Sequence, residues 1–526
     1  MLYDLAQTGV GLSTIEAPIC IIGAGLAGLI AATKIAETGV PVVLLESGAA
    51  RPDKQFDTLN EIEESVAVYR HSVTGRVRAL GGTSTAWGGR MMPLTDHDLG
   101  AREYLGLEGW GLTKTDLDRH LAGIERVFGL DQTSYEADFA TPFSVEALGS
   151  AGAHMQTRWA KWPTFRRRNI ARNLRGRIQS DPKLSVWLNA TVCGFDLDRD
   201  EGRISRVQAR SPSGNVLTVS AEKLILACGT LESTRLLLWL DRLSDGRAFA
   251  GCSVLGRYFN DHLALQVGRV RLPYGHLTNR IFGYHIGGRT RRSLHLETTA
   301  RAQRQDRSAS GFVTIRPEFR EGSLHHYLRN VGLSEQADGR TRPSMGRLAR
   351  MAAAAPPALF WRCAYRQMYF GQHVELFVDA RIEQVASYDS RLTLSAKVDQ
   401  FGIPRLCLEW KKTETDEHTF RSVLRRARQF WGGTVLDKAC PVDWDFDPDD
   451  DNLSLCQVAR DTRHPAGSAR MGVDRKRSVV DRGLRCHTIP NLLVASAAVF
   501  PSSGSANPTL TVMQLASIAA ESAMAH

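Results

Sequence analysis

The chain has 526 residues, 43% of them hydrophobic and 23% charged, with a formal net charge of +10 and nine cysteines. Such a length exceeds one ordinary hydrophobic core, so two or more domains are expected, built in part from discontinuous segments. The composition excludes a disordered or fibrous chain. The cysteines stand far apart with no CxxC spacing, which argues against a zinc site or a disulfide framework and for a reducing compartment, here the cytoplasm.

The first residues, "MLYDLAQTGVGLST", lack a basic segment followed by an apolar core, so no secretory signal is expected. "APICIIGAGLAGLIAATKIAETGVPVVLLESG" (17–48) then carries the first chemistry. Its apolar run reads as a buried parallel strand, followed by Gly23, Gly25 and Gly28 in GxGxxG spacing and a helix opening on Leu26 and Ala27. The glycines serve a tight turn, room for a pyrophosphate and close helix–strand contact, and the helix N-terminus offers free N–H groups to phosphates. A second strand ends on Glu46 and Ser47, and Glu46 lies 21 residues after Gly25. There a carboxylate accepts both ribose hydroxyls and repels a 2′-phosphate, which disfavours NADP and leaves NAD and FAD open.

"RVRALGGTSTAWGGRMMP" (76–93) places Gly81, Gly82, Gly88 and Gly89 around small hydroxyl residues and Trp87. Such a loop admits a large flat ligand close to the backbone, with Trp87 available to cover an aromatic face. The densest basic run, "FRRRNIARNLRGR" (165–177), is not interleaved with aromatics. It reads as a solvated helix face, with an anionic ligand as the alternative and no nucleic-acid role expected. "VWLNATVCGF" (186–195) and "KLILACGTLESTRLLL" (223–238) read as strands, the second passing through Gly229 into a helix, and "LGRYFNDH" (255–262) follows. No run of about 18 apolar residues is present to span a membrane. The nearest, "MAAAAPPALFW" (351–361), is broken by two prolines and reads as a mobile loop or a subunit contact, which leaves self-association open. Alternating segments within 372–410 read as strands with "DQFGIP" as a turn. Near the end stand "RHPAGSARMG" (463–472) and "SANPTLTVMQLA" (505–516), with His464 before a small-residue turn and Asn507 directly before Pro508. Asn followed by Pro is also a helix-start signal, so capping competes with any catalytic use of Asn507, although Ser505 can cap instead.

Taken in order, the fingerprint, "GGTSTAWGGR", "ACGTLESTRLLL", "LGRYFNDH", "HPAGSARMG" and "NPTLTVMQLA" resemble the glucose–methanol–choline (GMC) oxidoreductases, and the loop and ending look most like their pyranose oxidase branch. The resemblance implies an α/β protein whose Rossmann-like FAD domain comes from residues 1–100, 181–262 and 455–526. Residues 101–180 and 263–454 would supply a substrate domain on an antiparallel sheet with helical insertions. It implies cofactor contacts from Arg78, Gly82, Thr83, Ser84, Ala86, Trp87, Gly88 and Gly89, from Val192, Ala227, Cys228 and Gly229, and from Ala498, Pro508 and Thr509. His464 and Asn507 match the family's catalytic pair residue by residue. Members with covalent flavin carry a histidine where this chain has Ala86, so FAD is expected to be non-covalent, and no metal is expected. Ser496 stands where many members have an acid, which the pyranose branch also lacks.

Removing two electrons from an alcohol requires a base for the hydroxyl proton, and a histidine largely neutral at pH 7 suits that task. Asn507, donor and acceptor without charge, suits the other side of the substrate oxygen, while His262 and His487 read as structural. The last helix can also direct its positive end at the flavin. The expected reaction is oxidation of a secondary ring hydroxyl of a sugar or glycoside to a ketone, with oxygen, a quinone or a carrier as acceptor. A sterol or other apolar alcohol is the alternative substrate, and a flavin-containing lyase of the same fold is the alternative of another class.

Overall fold

The computed structural model describes residues 1–7, 12–64, 69, 74–136, 139, 155–198, 202–271, 276–321, 323–337, 345–371 and 374–525. Along the chain, β1 (Leu2–Asp4), β2 (Leu12–Ile22) and β3 (Val42–Leu45) precede β4 (Met155–Trp162), β5 (Leu184–Leu188) and β6 (Val216–Leu226). Then come β7 (Leu263–Val270), β8 (Thr290–Thr298), β9 (Gly311–Phe319), β10 (Val374–Ile382) and finally β11 (Leu492–Val494). Four helices matter to the site: α1 (Leu26–Ala36), α2 (Gly229–Leu243), α3 (Glu414–Gly432) and α4 (Pro508–Met524).

The first sheet runs β1–β5–β3–β2–β6 in parallel, with β11 added in parallel along the end of β6. Helices cover such a sheet on both faces, which is why Ile19, Cys20, Ile21, Ile22 and all of β3 are buried apolar residues without alternation. α1 packs on α4, so the first and last helices of the chain close one side of this sheet.

The second sheet is antiparallel, in the order β4–β8–β9–β10–β7. Here the sequence alternates, and the period of two separates two environments. Leu294, Leu296, Val313, Ile315, Val378, Ala380 and Ile382 face α3, where Phe420, Val423, Leu424 and Ala427 complete an apolar core. The other face carries Arg158, Arg291, His295, Phe312, Arg316, Asp379 and Arg381, and it is turned toward the first sheet. There Arg158 donates to the Pro93 carbonyl at 2.8 Å, and Glu297 accepts from Ser505 at 2.6 Å.

Three features differ from the sequence reading. Residues 351–361 are helical rather than a loop, within a helix Met345–Tyr365 that contains Pro356 and Pro357. Of the alternating segments in 372–410, only β10 joins the second sheet. The hairpin Arg391–Val398/Pro404–Glu409 pairs instead with Ile62–Glu64 in a separate three-stranded sheet. Its turn is held against α2 by Arg235, which reaches Asp399 at 2.6 Å. Two short strands cross the expected boundaries: Ile62–Glu64 in that hairpin sheet, and Arg460–Asp461, which pairs with β7. Among the described residues no helix is long and apolar enough to cross a membrane.

Candidate active site

The turn between β2 and α1 gives each fingerprint glycine a separate reason. Gly23 has φ +102°, and a Cβ there would lie 2.7 Å from the Ala227 carbonyl oxygen. At Gly28 a Cβ would overlap the Gly23 carbonyl. At Gly25 a Cβ would meet nothing within 4 Å, so this glycine keeps empty space open at the N-terminus of α1. That is a cradle shaped for a phosphate-bearing group. Glu46 closes it from the end of β3, its two oxygens accepting from the amides of Ala24 and Gly48, each at 2.8 Å. Burial pushes its carboxyl up, while those two N–H groups and Arg78 pull it back.

From this cradle a cleft of about 1370 Å³, open mouth included, extends to His464 and the start of α4. Gly23, Gly25, Leu26 and Ala27 line one wall; Glu46, Ser47, Arg78, Gly82 and Thr83 line the next. Val192, Ala227, Cys228 and Gly229 form the floor, with His464, Pro508 and Thr509 beyond them. Sequence reasoning missed Asn60, Arg76, Thr191, Glu232 and Ala497, which also line it. Glu232 was legible in principle, one turn into a helix that begins at the predicted Gly229. Arg78 holds it at 2.8 Å and also donates to Asn60 at 2.9 Å. Burial acts to raise the Glu232 carboxyl, yet Arg78 and Arg235 keep it down at about 2.

Other predicted positions lie outside the cleft wall. Gly28 backs the turn. Ser84 is buried and donates to the Gly81 carbonyl at 2.5 Å, and Ala86 is exposed. Trp87 donates to the Arg168 carbonyl at 2.9 Å and stands edge-on to Phe128, so its ring is committed to the loop's packing rather than to the cleft. Gly88 meets Trp162, Gly89 meets Arg168, and Ala498 is buried behind Ser496, which lines the cleft and caps the turn after it. The basic run divides: Arg166, Arg167 and Arg172 line a surface pocket of about 830 Å³ with Arg289, whereas Arg168 is buried.

Asn507 meets His464, its Nδ2 3.0 Å from Nε2. It occupies the N-cap position of α4 but makes no capping hydrogen bond, and Ser505 is turned to Glu297. The Asn507 side chain is therefore turned to His464 rather than to the helix, and the first turn of α4 is left open toward the cleft. His262, read as structural, lies against the pair with its Nδ1 2.9 Å from His464 Nδ1 and its Nε2 2.7 Å from the Gly504 carbonyl. His487 bonds Ser478 and the Gly472 carbonyl instead.

These contacts assign the protons. A carbonyl only accepts, so His262 carries its hydrogen on Nε2 and offers Nδ1 as an acceptor. His464 must then donate from Nδ1, to His262 and to Thr462 Oγ1 at 2.8 Å, which leaves the Nε2 lone pair facing Asn507. Asp261 fixes the backbone, accepting from the His464 amide at 2.8 Å and from Tyr69 at 2.7 Å. Burial raises the Asp261 carboxyl to about 7. Burial, then His262, Arg381 and Arg90, hold His464 well below an ordinary histidine. It is a neutral, oriented acceptor at physiological pH.

Residues 386–516 match the family described as GMC oxidoreductase, and residues 18–97 match that of glucose inhibited division protein A. The chain is 25% identical to a pyridoxine 4-oxidase of Microbacterium luteolum, over 92% of this chain and 95% of that protein. It is 24% identical to a 6‴-hydroxyparomomycin C oxidase of Streptomyces lividus over 26% of this chain and 23% of that one. A formate oxidase of Aspergillus oryzae RIB40 shares the fold, with TM-score 0.58 at 16% identity over 97% of this chain and 98% of that one. A pyridoxine 4-oxidase from Mesorbium loti does so with TM-score 0.58 at 16% identity, over 96% and 98%. With an open glycine turn, a buried carboxylate and an oriented histidine along one cleft, and with residues 386–516 matching the GMC oxidoreductases, the chain is an FAD-binding enzyme that acts on CH–OH groups.

Proposed function

We propose that the enzyme oxidises a secondary ring hydroxyl of a sugar or glycoside to a ketone, with His464 as the base and Asn507 as the group that positions the substrate oxygen. The observation that carries this reading is the unprotonated Nε2 of His464, held at the end of the cleft with Asn507 3.0 Å away. The FAD that Gly25, Glu46 and the start of α4 are suited to hold supplies the two-electron acceptor.

The residues supply the remaining functions. His262 and Thr462 keep the His464 hydrogen on Nδ1, so the proton of an incoming hydroxyl has one vacant destination, Nε2. Asn507 donates to Nε2 while no alcohol is bound; a substrate hydroxyl takes that place and receives the amide hydrogen on its own oxygen. The amide cannot compete for the proton, because it is not basic. Its depressed basicity keeps His464 unprotonated at neutral pH. The first turn of α4, uncapped by Asn507, presents N–H groups where negative charge is favoured. Ala86 has no nucleophilic atom, which supports a non-covalent cofactor. The division into residues 1–100, 181–262 and 455–526 around FAD, with 101–180 and 263–454 around the substrate, belongs to the same proposal.

Anaerobic mixing of the FAD-loaded enzyme with sugars and glycosides should bleach the flavin's visible band. His464→Ala should slow bleaching by roughly 10² to 10⁴, the usual worth of a positioned base, while FAD stays bound. Bleaching by sterols alone would move the substrate to apolar alcohols, and turnover without any bleaching would make the protein a lyase. Unchanged bleaching in the Ala variant would remove His464 from the reaction.

A further inference from the structure

The second sheet turns an arginine-rich face toward His464, and most of its charge is already matched. Arg316 reaches Asp379 at 2.7 Å, Arg158 reaches Glu297 at 3.0 Å, and nearby Arg102 reaches Glu383 at 2.7 Å. Asp379, Glu297 and Glu383 are thus already held by guanidinium groups. Arg90, Arg291 and Arg381 remain. Among the described residues none of the three makes an ion pair, and Nη1 of Arg90 and Nε of Arg291 and Arg381 are sealed from solvent without an acceptor.

Tyr284 is their shared neighbour: Arg291 lies 4.7 Å from its ring, and its hydroxyl acts on Arg90 and Arg381 as well. Arg90 and Arg291 lie against one ring, Trp162, at 4.8 and 4.7 Å from its centroid. Arg381 stands opposite Phe312 in the β9–β10 register, and His295 stacks on that same Phe312 at 4.3 Å. The Nε2 of His295 is also buried without a partner. None of the four lines the nucleotide cleft, so they are not its phosphate contacts, yet Arg90 and Arg381 are near enough to depress His464.

A guanidinium does not escape burial by losing its proton, because it stays charged in proteins. Burial and Arg381 both act to lower Arg90, the direction expected of unmatched positive charge. All three side chains keep part of their surface open, and an anion with several acceptor oxygens would match the charge that no carboxylate matches. We propose that Arg90, Arg291 and Arg381 bind an oxyanion, carboxylate or phosphate, borne by the alcohol itself, so that the substrate is a sugar acid or sugar phosphate rather than a neutral sugar. This rests on His464 being the base. The bonds that break are the carbinol C–H and O–H, and the anion is a handle that does not react. Amino sugars would be repelled.

Calorimetric titration of the FAD-loaded enzyme with D-glucuronate, D-glucose 6-phosphate and D-glucose separates the sources without requiring turnover. Saturable binding is expected for one of the two anions, with at least about tenfold weaker binding for neutral glucose. Arg381→Gln and, separately, Arg291→Gln should abolish that preference, Arg381→Lys should keep part of it, and Arg166→Gln in the surface pocket should leave it unchanged. The inference is overturned if wild type binds neither anion saturably, or if folded Arg381→Gln or Arg291→Gln retains the full preference. Flavin bleaching by glucose as fast as by the better of the two anions would also overturn it while leaving the proposed oxidation intact. Preferential anion binding with no bleaching by any of the three would instead count against the oxidation alone.

Discussion

At the scale of single residues, Asn507 shows what side-chain direction adds to a sequence. "NP" before an apolar helix reads equally as a cap and as half of a catalytic pair, since both uses need the same residue at the same place. The 3.0 Å contact to His464, without a capping bond, separates them. Asn507→Ala should therefore lack the roughly 1 kcal/mol loss that removal of a true N-cap brings. Asn507→Asp should be stable yet slow in flavin reduction, because it sets negative charge beside an oxygen that is itself becoming negative. Thermal melts and stopped-flow traces of the two variants check this, and a fast Asp variant would leave Asn507 no role at the oxygen. Trp87 was less legible. Its ring direction depends on the Arg168 carbonyl, 81 positions away, and no local pattern encodes that. The unpaired arginines left a fainter signal, polar and charged residues on alternate positions of a strand, as Arg291, Ser293, His295 and Glu297 stand in "RRSLHLE".

At the scale of elements, the β2–α1 turn was legible in full, because strand, glycines, helix and acid act within 30 residues or so of one another. The hairpin after β10 was legible as two strands but not as a member of a separate sheet. Its partner, Ile62–Glu64, lies more than 300 residues away in sequence, and alternation does not name a partner. The glycine turn makes a contrast that can be measured. Gly28→Ala gains at most about 1 kcal/mol of helix propensity, but its Cβ would overlap the Gly23 carbonyl. Loss of fold stability by several kcal/mol is the expected result, in line with overpacking. Gly25→Ala meets nothing in the protein, so the melting temperature of the FAD-free protein should hold while FAD affinity falls at least about tenfold. Equal FAD affinity in Gly25→Ala would show that the space is not the pyrophosphate cradle.

For the molecule as a whole, burial of histidine governs the response to acid. His464, His262, His295 and His97 are depressed by burial, and His120, His285 and His325 are pushed down to about 4. The folded chain therefore takes up these protons less readily than the unfolded chain, whose histidines titrate near 6.5. Their contribution is complete above about 6.5 and is lost as pH falls toward the folded values, by up to about 1.4 kcal/mol per pH unit for each group. Asp261 acts in the opposite sense: raised to about 7, it favours the fold at low pH and loses that contribution as pH rises from about 4. Glu46 and Asp416, also raised by burial, act with Asp261; seven groups outweigh three, so the melting temperature should drop between pH 7 and pH 5. A flat or rising profile would mean that these histidines are not buried neutral.

The hydrogen-bonded row of His464 and His262 ends on the carbonyl of Gly504. A carbonyl is a terminus and not a relay, so a proton delivered to Nε2 of His464 cannot leave the protein by that route. The branch through Thr462 ends on the buried Asp261, so in the proposed reaction the proton stays at the cleft end and returns by the side it entered, toward whatever takes the electrons. Only one exchangeable hydrogen should then be in flight during flavin reduction. In mixtures of H2O and D2O the reduction rate should vary linearly with the deuterium fraction, whereas a bowed plot would reveal a second moving proton and an exit that this row of atoms does not contain.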